Sequence, residues 1–223
     1  MGWEVLSPLL LTLKVAGFAT FIALILGTAL GFALSRGSFP GREWLDAFLT
    51  LPLVLPPTVL GYYIIVVVGR NGFVGRWLDQ AFGISLMFTW QGAVIAASVV
   101  SLPMVLKSAR AAIEGVPPDL EDAARTLGHS ETSVFFRVTL PLAWRGVLAG
   151  SMLAFARAMG EFGATLMVAG DLPGRTQTLS LAIYDAVQAG DDSLGMKFVL
   201  ITSITCMAVL VFAGRLLKKE YRG

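Results

Sequence analysis

The sequence has few residues that could carry metal, disulfide or hydrolytic chemistry. Its single cysteine, Cys206, lies inside an apolar run, and its single histidine, His129, lies in a polar stretch. This scarcity excludes a disulfide framework within the chain, a cysteine-based metal cluster and a zinc-protease motif. A Walker A sequence is also missing, so we do not expect the chain to bind ATP by itself. The sequence therefore predicts no metal site and no resident cofactor, and it argues against an enzyme.

Charge is scarce as well. Charged residues make up 14% of the 223 residues, whereas hydrophobic residues make up 56% and the mean hydropathy is +0.74. This balance is far from that of a soluble globular protein and predicts an integral membrane protein. A bilayer core about 30 Å thick needs about 20 apolar residues per helix. The chain therefore has room for five or six membrane spans, and we expect one all-α transmembrane domain over residues 1–223.

Five long apolar runs are the predicted spans, at residues 9–34, 45–68, 88–106, 141–168 and 196–217. The second run contains Pro52, Pro56 and Pro57, which lack backbone donors and must bend or break the helix. Freed carbonyl groups need partners in lipid, so this helix should face protein or a watery cavity along its bend. Residues 176–189 are too polar to cross lipid, and we expect a re-entrant or surface helix there on the outer side.

The distribution of cations predicts the orientation of the chain. Four cations lie in the connections on one side of the five spans: Arg70, Arg76, Arg175 and Lys197. Eleven lie on the other side: Arg36, Arg42, Lys107, Arg110, Arg125, Arg137, Arg145, Arg215, Lys218, Lys219 and Arg222. Because cytoplasmic loops carry an excess of Lys and Arg, the larger group is predicted to face the cytoplasm. Five spans then place the N-terminus outside.

A polar stretch at residues 117–141 separates the third and fourth runs. We expect Asp119 to cap a short helix there, with carboxylates in its first turn, and Gly128 to end that helix in the left-handed conformation. The apolar residues of the helix fall at i, i+3, i+4 and i+7, the spacing of one helix face. They are Leu120, Ala123, Ala124 and Leu127, and the charged Glu121, Asp122 and Arg125 lie off that face.

The spacing of this stretch resembles that of a known family. Asp122-Ala123-Ala124 is followed after three residues by Gly128 and after nine more by Val138-Thr139-Leu140-Pro141. This pattern resembles the EAA loop of bacterial ABC-importer permeases, which runs Glu-Ala-Ala, three residues, Gly, nine residues, Ile, any residue, Leu, Pro. Asp122 replaces the Glu of that pattern and Val138 replaces the Ile, and both changes keep charge or shape.

The resemblance implies an ABC importer permease (MetI-like) architecture with a cytoplasmic coupling-helix loop at about 111–141. In that family the short helix sits in a cleft of a separate ATPase subunit and transmits its motion to the membrane helices. The residues that the resemblance assigns to coupling are Glu121, Asp122, Ala123, Ala124, Arg125, Leu127 and Gly128. An ATP-independent channel is the alternative from another class, and it would not need such a helix.

One charged pair lies at the centre of a predicted span. Arg157 and Glu161 have i, i+4 helical spacing and can neutralise each other. They could form a structural pair that lets the helix face a subunit interface, or they could border the passage and sense a passing anion. The small residues around them, including Gly160 and Gly163, permit close approach of helices or of symmetric copies.

Three further segments, at residues 51–57, 155–165 and 173–178, resemble the molybdate permease subunits in particular. The resemblance implies a homodimeric channel for molybdate, and often tungstate, in the bacterial inner membrane. The implied partners are a second copy of the chain, two ATP-binding cassette subunits that bind the ATP, an external molybdate-binding protein and membrane lipid, with no nucleic acid. Sulfate permeases have a similar Gly-Glu-Phe-Gly segment, so a sulfate or thiosulfate permease remains the alternative within the family.

Overall fold

A computed structural model describes residues 2–218 of the protein, and the predicted cytoplasmic cations Lys219 and Arg222 lie outside the described residues. All regular secondary structure in the described residues is helical. In chain order the helices are α1 (Gly2–Arg36), α2 (Arg42–Thr50), α3 (Pro57–Val68), α4 (Phe73–Phe82), α5 (Trp90–Glu114), α6 (Pro118–Thr126), α7 (Glu131–Val134), α8 (Leu140–Met159), α9 (Gly163–Ala169), α10 (Leu179–Gln188) and α11 (Asp192–Lys218). A 3₁₀ turn at Leu51–Leu53 follows α2, and a π-helical turn at Phe135–Thr139 joins α7 to α8.

Four segments of the described chain are long and apolar enough to cross a membrane: Val5–Arg36, Trp90–Glu114, Glu131–Met159 and Asp192–Phe212. A fifth crossing results if α2, the 3₁₀ turn and α3 count as one span, although these parts are bent by 114°. This arrangement agrees with the predicted all-α fold of five spans. Connections on the predicted outer side carry the additional helices α4 and α10.

The bend in the second span follows from its prolines, as the sequence predicted. Pro56 precedes α3 with an extended backbone, and Pro57 is the first residue of the helix. At that position the missing N–H of proline costs nothing, because the first N–H groups of a helix have no partner inside it. The prolines therefore separate α2 and its 3₁₀ turn from α3, which runs in a different direction.

The prediction of a single helix over residues 141–168 is wrong, because the chain breaks between α8 and α9. Gly160 stands directly after α8, and glycine is a poor helix former. The side chain of Glu161 then accepts a hydrogen bond from the backbone N–H of Ala164 at 2.8 Å, which satisfies a free donor at the start of α9. The span also begins earlier than predicted, since helical structure runs without a gap from Glu131.

Helix α5 lies at the centre of the molecule and is the most buried of the four long segments. Small residues allow α1 to run closely along it. A Cβ atom on Gly27 of α1 would lie 2.9 Å from the Cβ of Val105, and one on Gly31 would lie 3.2 Å from the Cβ of Ala109. Such approach of backbones is the usual means by which membrane helices gain packing contacts. Helices α8 and α9 cover other sides of α5.

The expected outer helix at residues 176–189 is present as α10. Its first residue, Leu179, donates its backbone N–H to the hydroxyl of Thr12 in α1 at 2.8 Å. Leu179, Ala182 and Ala186 are buried in one cluster with Phe198 of α11. Helix α10 therefore packs against the spans α1 and α11.

Candidate functional site

Helix α6 lies in the predicted coupling loop and begins differently from the expectation. Pro117 occupies the capping position and offers no side-chain hydrogen bond, whereas Asp119 lies inside the first turn. The predicted capping role of Asp119 is therefore wrong. Proline suits the start of the helix because its φ angle is already fixed near the helical value. The carboxylates of Asp119 and Glu121 still lie in the first turn, where the helix dipole favours negative charge.

The end of α6 confirms the predicted left-handed stop at Gly128. This residue has a φ angle of 84°. Its N–H donates to the carbonyl of Arg125 at 2.9 Å, and the N–H of His129 donates to the carbonyl of Ala124 at 3.2 Å. These two bonds define a Schellman motif, in which glycine supplies the positive φ angle at no steric cost. The turn therefore fixes where α6 ends and where the chain turns back toward α7.

The apolar and charged residues of α6 are not separated onto two faces as the sequence predicted. Ala124 is 8% exposed and Glu121 only 2%, so both face the interior of the chain. Leu120 and Leu127 are 47% and 79% exposed, and Ala123 is exposed with them. The predicted stripe of four apolar residues is therefore split. Three of its members form an outward apolar face, while the fourth shares the buried face with a carboxylate.

Glu121 is held by two residues that the sequence analysis did not assign to the site. The guanidinium of Arg36, at the end of α1, lies 3.0 Å from the Glu121 carboxylate. The hydroxyl of Thr139 donates to the same carboxylate oxygen at 2.7 Å. The only sequence signals were that Arg36 ends an apolar run and that Thr139 lies inside the Val138–Pro141 segment of the motif. The carboxylate is thus satisfied within its own chain.

Arg125 ties α6 to the start of α7. Its guanidinium lies 2.7 Å from a carboxylate oxygen of Glu131 and 2.6 Å from one of Asp122. The hydrogen bonds to Glu131 and then to Asp122 raise the pKa of Arg125. Because these groups are exposed, solvent screens them and the pairs contribute little to stability. The pair with Glu131 joins α6 to α7 across the turn at Gly128.

Arg157 and Glu161 form the ion pair that their spacing predicted, although they lie at a helix break. The Arg157 guanidinium is 2.9 Å from one Glu161 carboxylate oxygen. The other oxygen accepts the Ala164 N–H described above. The Glu161 side chain is 2% exposed and that of Arg157 is 32% exposed. The carboxylate therefore both neutralises Arg157 and caps α9.

The starts of α3 and α9 lie against each other near this pair. A Cβ atom on Gly163 would come within 2.6 Å of the Cβ of Pro57, and one on Gly61 within 2.7 Å of the Cβ of Met167. Gly163 thus permits the close approach that the sequence predicted. At Gly160 the nearest atoms are carbonyl oxygens 3.9 Å away, so this glycine serves no close approach within the described chain. Nowhere in residues 2–218 do three or more His, Cys, Asp or Glu side chains gather as metal ligands.

Comparison with known proteins identifies the family of the chain. The family described as "Binding-protein-dependent transport system inner membrane component" matches residues 6–221. The molybdenum transport system permease protein ModB of Escherichia coli (strain K12) is 46% identical over 198 residues, which cover 89% of this chain and 86% of that protein. The sulfate transport system permease protein CysT of the same strain is 35% identical over 195 residues, which cover 85% of this chain and 70% of that protein.

The fold also matches a solved structure. The MetNI methionine ABC transporter in an inward-facing conformation aligns with a TM-score of 0.75 over 97% of this chain and 95% of that chain. The sequences are only 17% identical, so this match speaks for the fold alone. It confirms the predicted MetI-like, all-α architecture of an importer permease.

The family match confirms several predictions made from the sequence. The chain is a multi-pass component of the inner membrane, and it serves transport rather than catalysis. Its partners include a separate binding protein and a separate ATPase, which binds the ATP. The chain belongs to the family of inner membrane components of binding-protein-dependent transport systems.

Proposed function

We propose that the chain is the permease subunit of an ATP-driven importer that carries molybdate across the inner membrane, with tungstate as a second substrate. The observation that carries this proposal is the 46% identity to a molybdenum permease along nearly the whole chain, compared with 35% to a sulfate permease. Two copies would form the passage along their shared axis. Two ATPase subunits and an external molybdate-binding protein complete the assembly.

The outward face of α6 supports the proposed docking to the ATPase. Leu120, Ala123 and Leu127 present an exposed apolar surface on α6, which lies between the span segments Trp90–Glu114 and Glu131–Met159. Apolar residues in such a place gain free energy when a partner covers them. We assign the loop at about 111–141 to coupling, with Asp122 at the edge of the surface and Gly128 fixing the end of the helix.

The connection from α6 to the membrane supports a mechanical role. Helical structure runs from Glu131 to Met159 through α7, the π-helical turn and α8. Arg125 holds α6 to the first residue of this segment. When the ATPase subunits close on ATP, a displacement of α6 is therefore passed to a span that ends at the Arg157–Glu161 pair.

For the Arg157–Glu161 pair we propose the structural role. The carboxylate of Glu161 is already engaged by the Arg157 guanidinium and by the Ala164 N–H. An unpaired arginine would hold an oxyanion too firmly, since conduction requires sites that release their occupant. Because the pair is neutral as a unit, it fixes the break between α8 and α9 and leaves no free charge for the anion.

Reconstitution tests the proposal directly. Proteoliposomes containing the chain, its ATPase and its binding protein are loaded with ATP, and uptake of labelled molybdate is measured alone and with excess tungstate or sulfate. We expect ATP-dependent uptake that tungstate suppresses and sulfate leaves unchanged. Suppression by sulfate alone would assign the chain to sulfate transport, and uptake without ATP would indicate a channel.

A further inference from the structure

The structure joins the coupling loop to the first membrane span through a charge pair whose carboxylate is buried. We propose that Arg36 and Glu121 form a joint through which movement of α6 displaces α1 together with α5. Glu121 is then a positioning residue for coupling and not a contact of the ATPase. This inference rests on the proposed function. It adds a second route by which a displacement of α6 reaches the membrane spans, separate from the route through α8.

The geometry of Arg36 places it at the meeting point of three helices. Arg36 is the last residue of α1, and its Nη2 atom donates to the carbonyl oxygens of Ile113 and Val116 at 3.1 and 3.2 Å. The same atom donates to Glu121 Oε1 at 3.0 Å. One guanidinium therefore contacts the end of α5, the residue two positions beyond that helix and the first turn of α6.

The carboxylate of Glu121 is directed entirely toward its own chain. Its side chain is 3% exposed, and Oε1 also accepts the hydroxyl of Thr139 at 2.7 Å. Oε2 lies 3.7 Å from the Arg125 guanidinium. A carboxylate so enclosed cannot reach a partner subunit. Its neighbour Asp122 differs, because 66% of its side chain is exposed and it contacts only Arg125 among the charged groups described.

Separating this pair would leave the buried Glu121 carboxylate as an uncompensated charge in a poorly solvating interior. Arg36 and Glu121 should therefore move together rather than part. Close packing along α1 extends the connection, since Gly27 and Gly31 let α1 lie directly on α5. A shift of α6 at Glu121 is thus delivered to α1 and α5 as one unit.

Two neighbouring carboxylates provide a matched test of this assignment. Glu121→Gln and Asp122→Asn each remove one negative charge from adjacent positions of α6 in the full complex with the ATPase and the binding protein. The amount of ATPase retained is measured on the purified permease. The number of ATP molecules hydrolysed per molybdate imported is measured in proteoliposomes. A merely structural anchor would not change the second quantity in a complex that is fully assembled.

We expect Glu121→Gln to retain the ATPase and to raise the ATP consumed per molybdate by about tenfold, a typical size for coupling between sites. Asp122→Asn should reduce ATPase retention, as expected of an exposed group at the docking surface. Loss of retention in Glu121→Gln at an unchanged ratio would overturn the inference and make Glu121 a partner contact. Retention and ratio both at wild-type values in Glu121→Gln would overturn it as well.

A milder variant covers the case in which Glu121→Gln does not fold. Thr139→Val keeps both charges and the shape of the side chain but removes one hydrogen bond to the carboxylate. We expect a smaller rise of the same ratio, with ATPase retention unchanged, and an unchanged ratio would overturn the inference. A wrong substrate assignment can be distinguished from a wrong assignment of the joint, because the wild-type complex itself would then import no molybdate.

Discussion

Gly163 at the start of α9 lies against Pro57 at the start of α3, so closely that a Cβ atom on the glycine would sit 2.6 Å from the Cβ of the proline. A similar contact joins Gly61 to Met167 further along the same two helices. Helices α3 and α9, each of which follows a break in the chain, therefore pack through glycine positions that leave no room for a side chain. The packing is independent of α6, which allows the two regions to be tested separately.

Gly61→Ala should destabilise the protein, although alanine is the better helix former. The new Cβ would lie 2.7 Å from the Cβ of Met167, and such overpacking costs about 1–3 kcal/mol. Thermal unfolding of the purified permease in detergent measures the effect. Gly17→Ala is the matched control, because nothing lies within 4 Å of a Cβ atom at Gly17. Equal melting temperatures for the two variants would contradict the packing of α3 on α9.

The effect of a substitution at Gly128 should depend on whether the new residue tolerates a positive φ angle, rather than on its size. A Cβ atom there meets nothing within 4 Å, so the cost arises from the φ angle of 84°. Asparagine tolerates this region, whereas valine does not. We expect Gly128→Asn to keep ATP-driven uptake and Gly128→Val to lose most of it.

The control for Gly128 is Gly174, in the connection on the predicted outer side. It has a φ angle of 70° and equally open surroundings. Gly174→Val carries the same backbone strain, and we expect its complex to keep the ATPase. If Gly128→Val imports molybdate at the wild-type rate, the proposed coupling role of this turn is refuted.

A charge on the outward face of α6 should prevent docking of the ATPase. Leu127 is 79% exposed, so Leu127→Asp leaves the fold of the permease intact. We expect the copurified ATPase to fall about tenfold, as for loss of an apolar contact at the centre of an interface. Thr126→Asp adds the same charge at the adjacent exposed position and should have a smaller effect. Equal losses for both variants would point to general charge repulsion.

Glu161→Gln should weaken assembly more than it changes the choice of anion. The amide can still accept the Ala164 N–H but no longer neutralises Arg157, and a hydrogen bond to a charged group contributes about 1.5–3 kcal/mol. Size-exclusion chromatography measures the yield of assembled permease, and uptake competition measures selectivity. A normal yield with altered preference between molybdate and sulfate would place the pair on the wall of the passage.

The loop at α6 should be reachable only from the cytoplasm. In a Cys206→Ala background, Ser130→Cys places a single thiol at an exposed position beside α7. A membrane-impermeant maleimide should label it in inverted vesicles and not in intact cells. Arg175→Cys, also exposed, should give the opposite pattern. Labelling of Ser130→Cys in intact cells would refute the proposed orientation.

Local sequence was sufficient for features that depend on a few neighbouring residues. The lengths of the apolar runs predicted the spans, since a bilayer has a fixed thickness. Pro56 and Pro57 predicted the bend of the second span because proline restricts its own backbone, and Gly128 predicted the end of α6 because glycine alone adopts a positive φ angle without steric cost. The break at Gly160 was missed because a glycine in an apolar run also occurs inside membrane helices.

The sequence by itself determined the membrane class, the approximate positions of the spans and the spacing of the loop that implied the family. Only the tertiary structure decided which side of α6 faces outward and which of the adjacent carboxylates Glu121 and Asp122 is exposed. Glu121 and Asp122 are adjacent and chemically alike, but Arg36, 85 residues from Glu121 in the chain, encloses one and leaves the other in solvent. Burial depends on residues brought together from distant parts of the chain, so periodicity within a nine-residue helix could not reveal it.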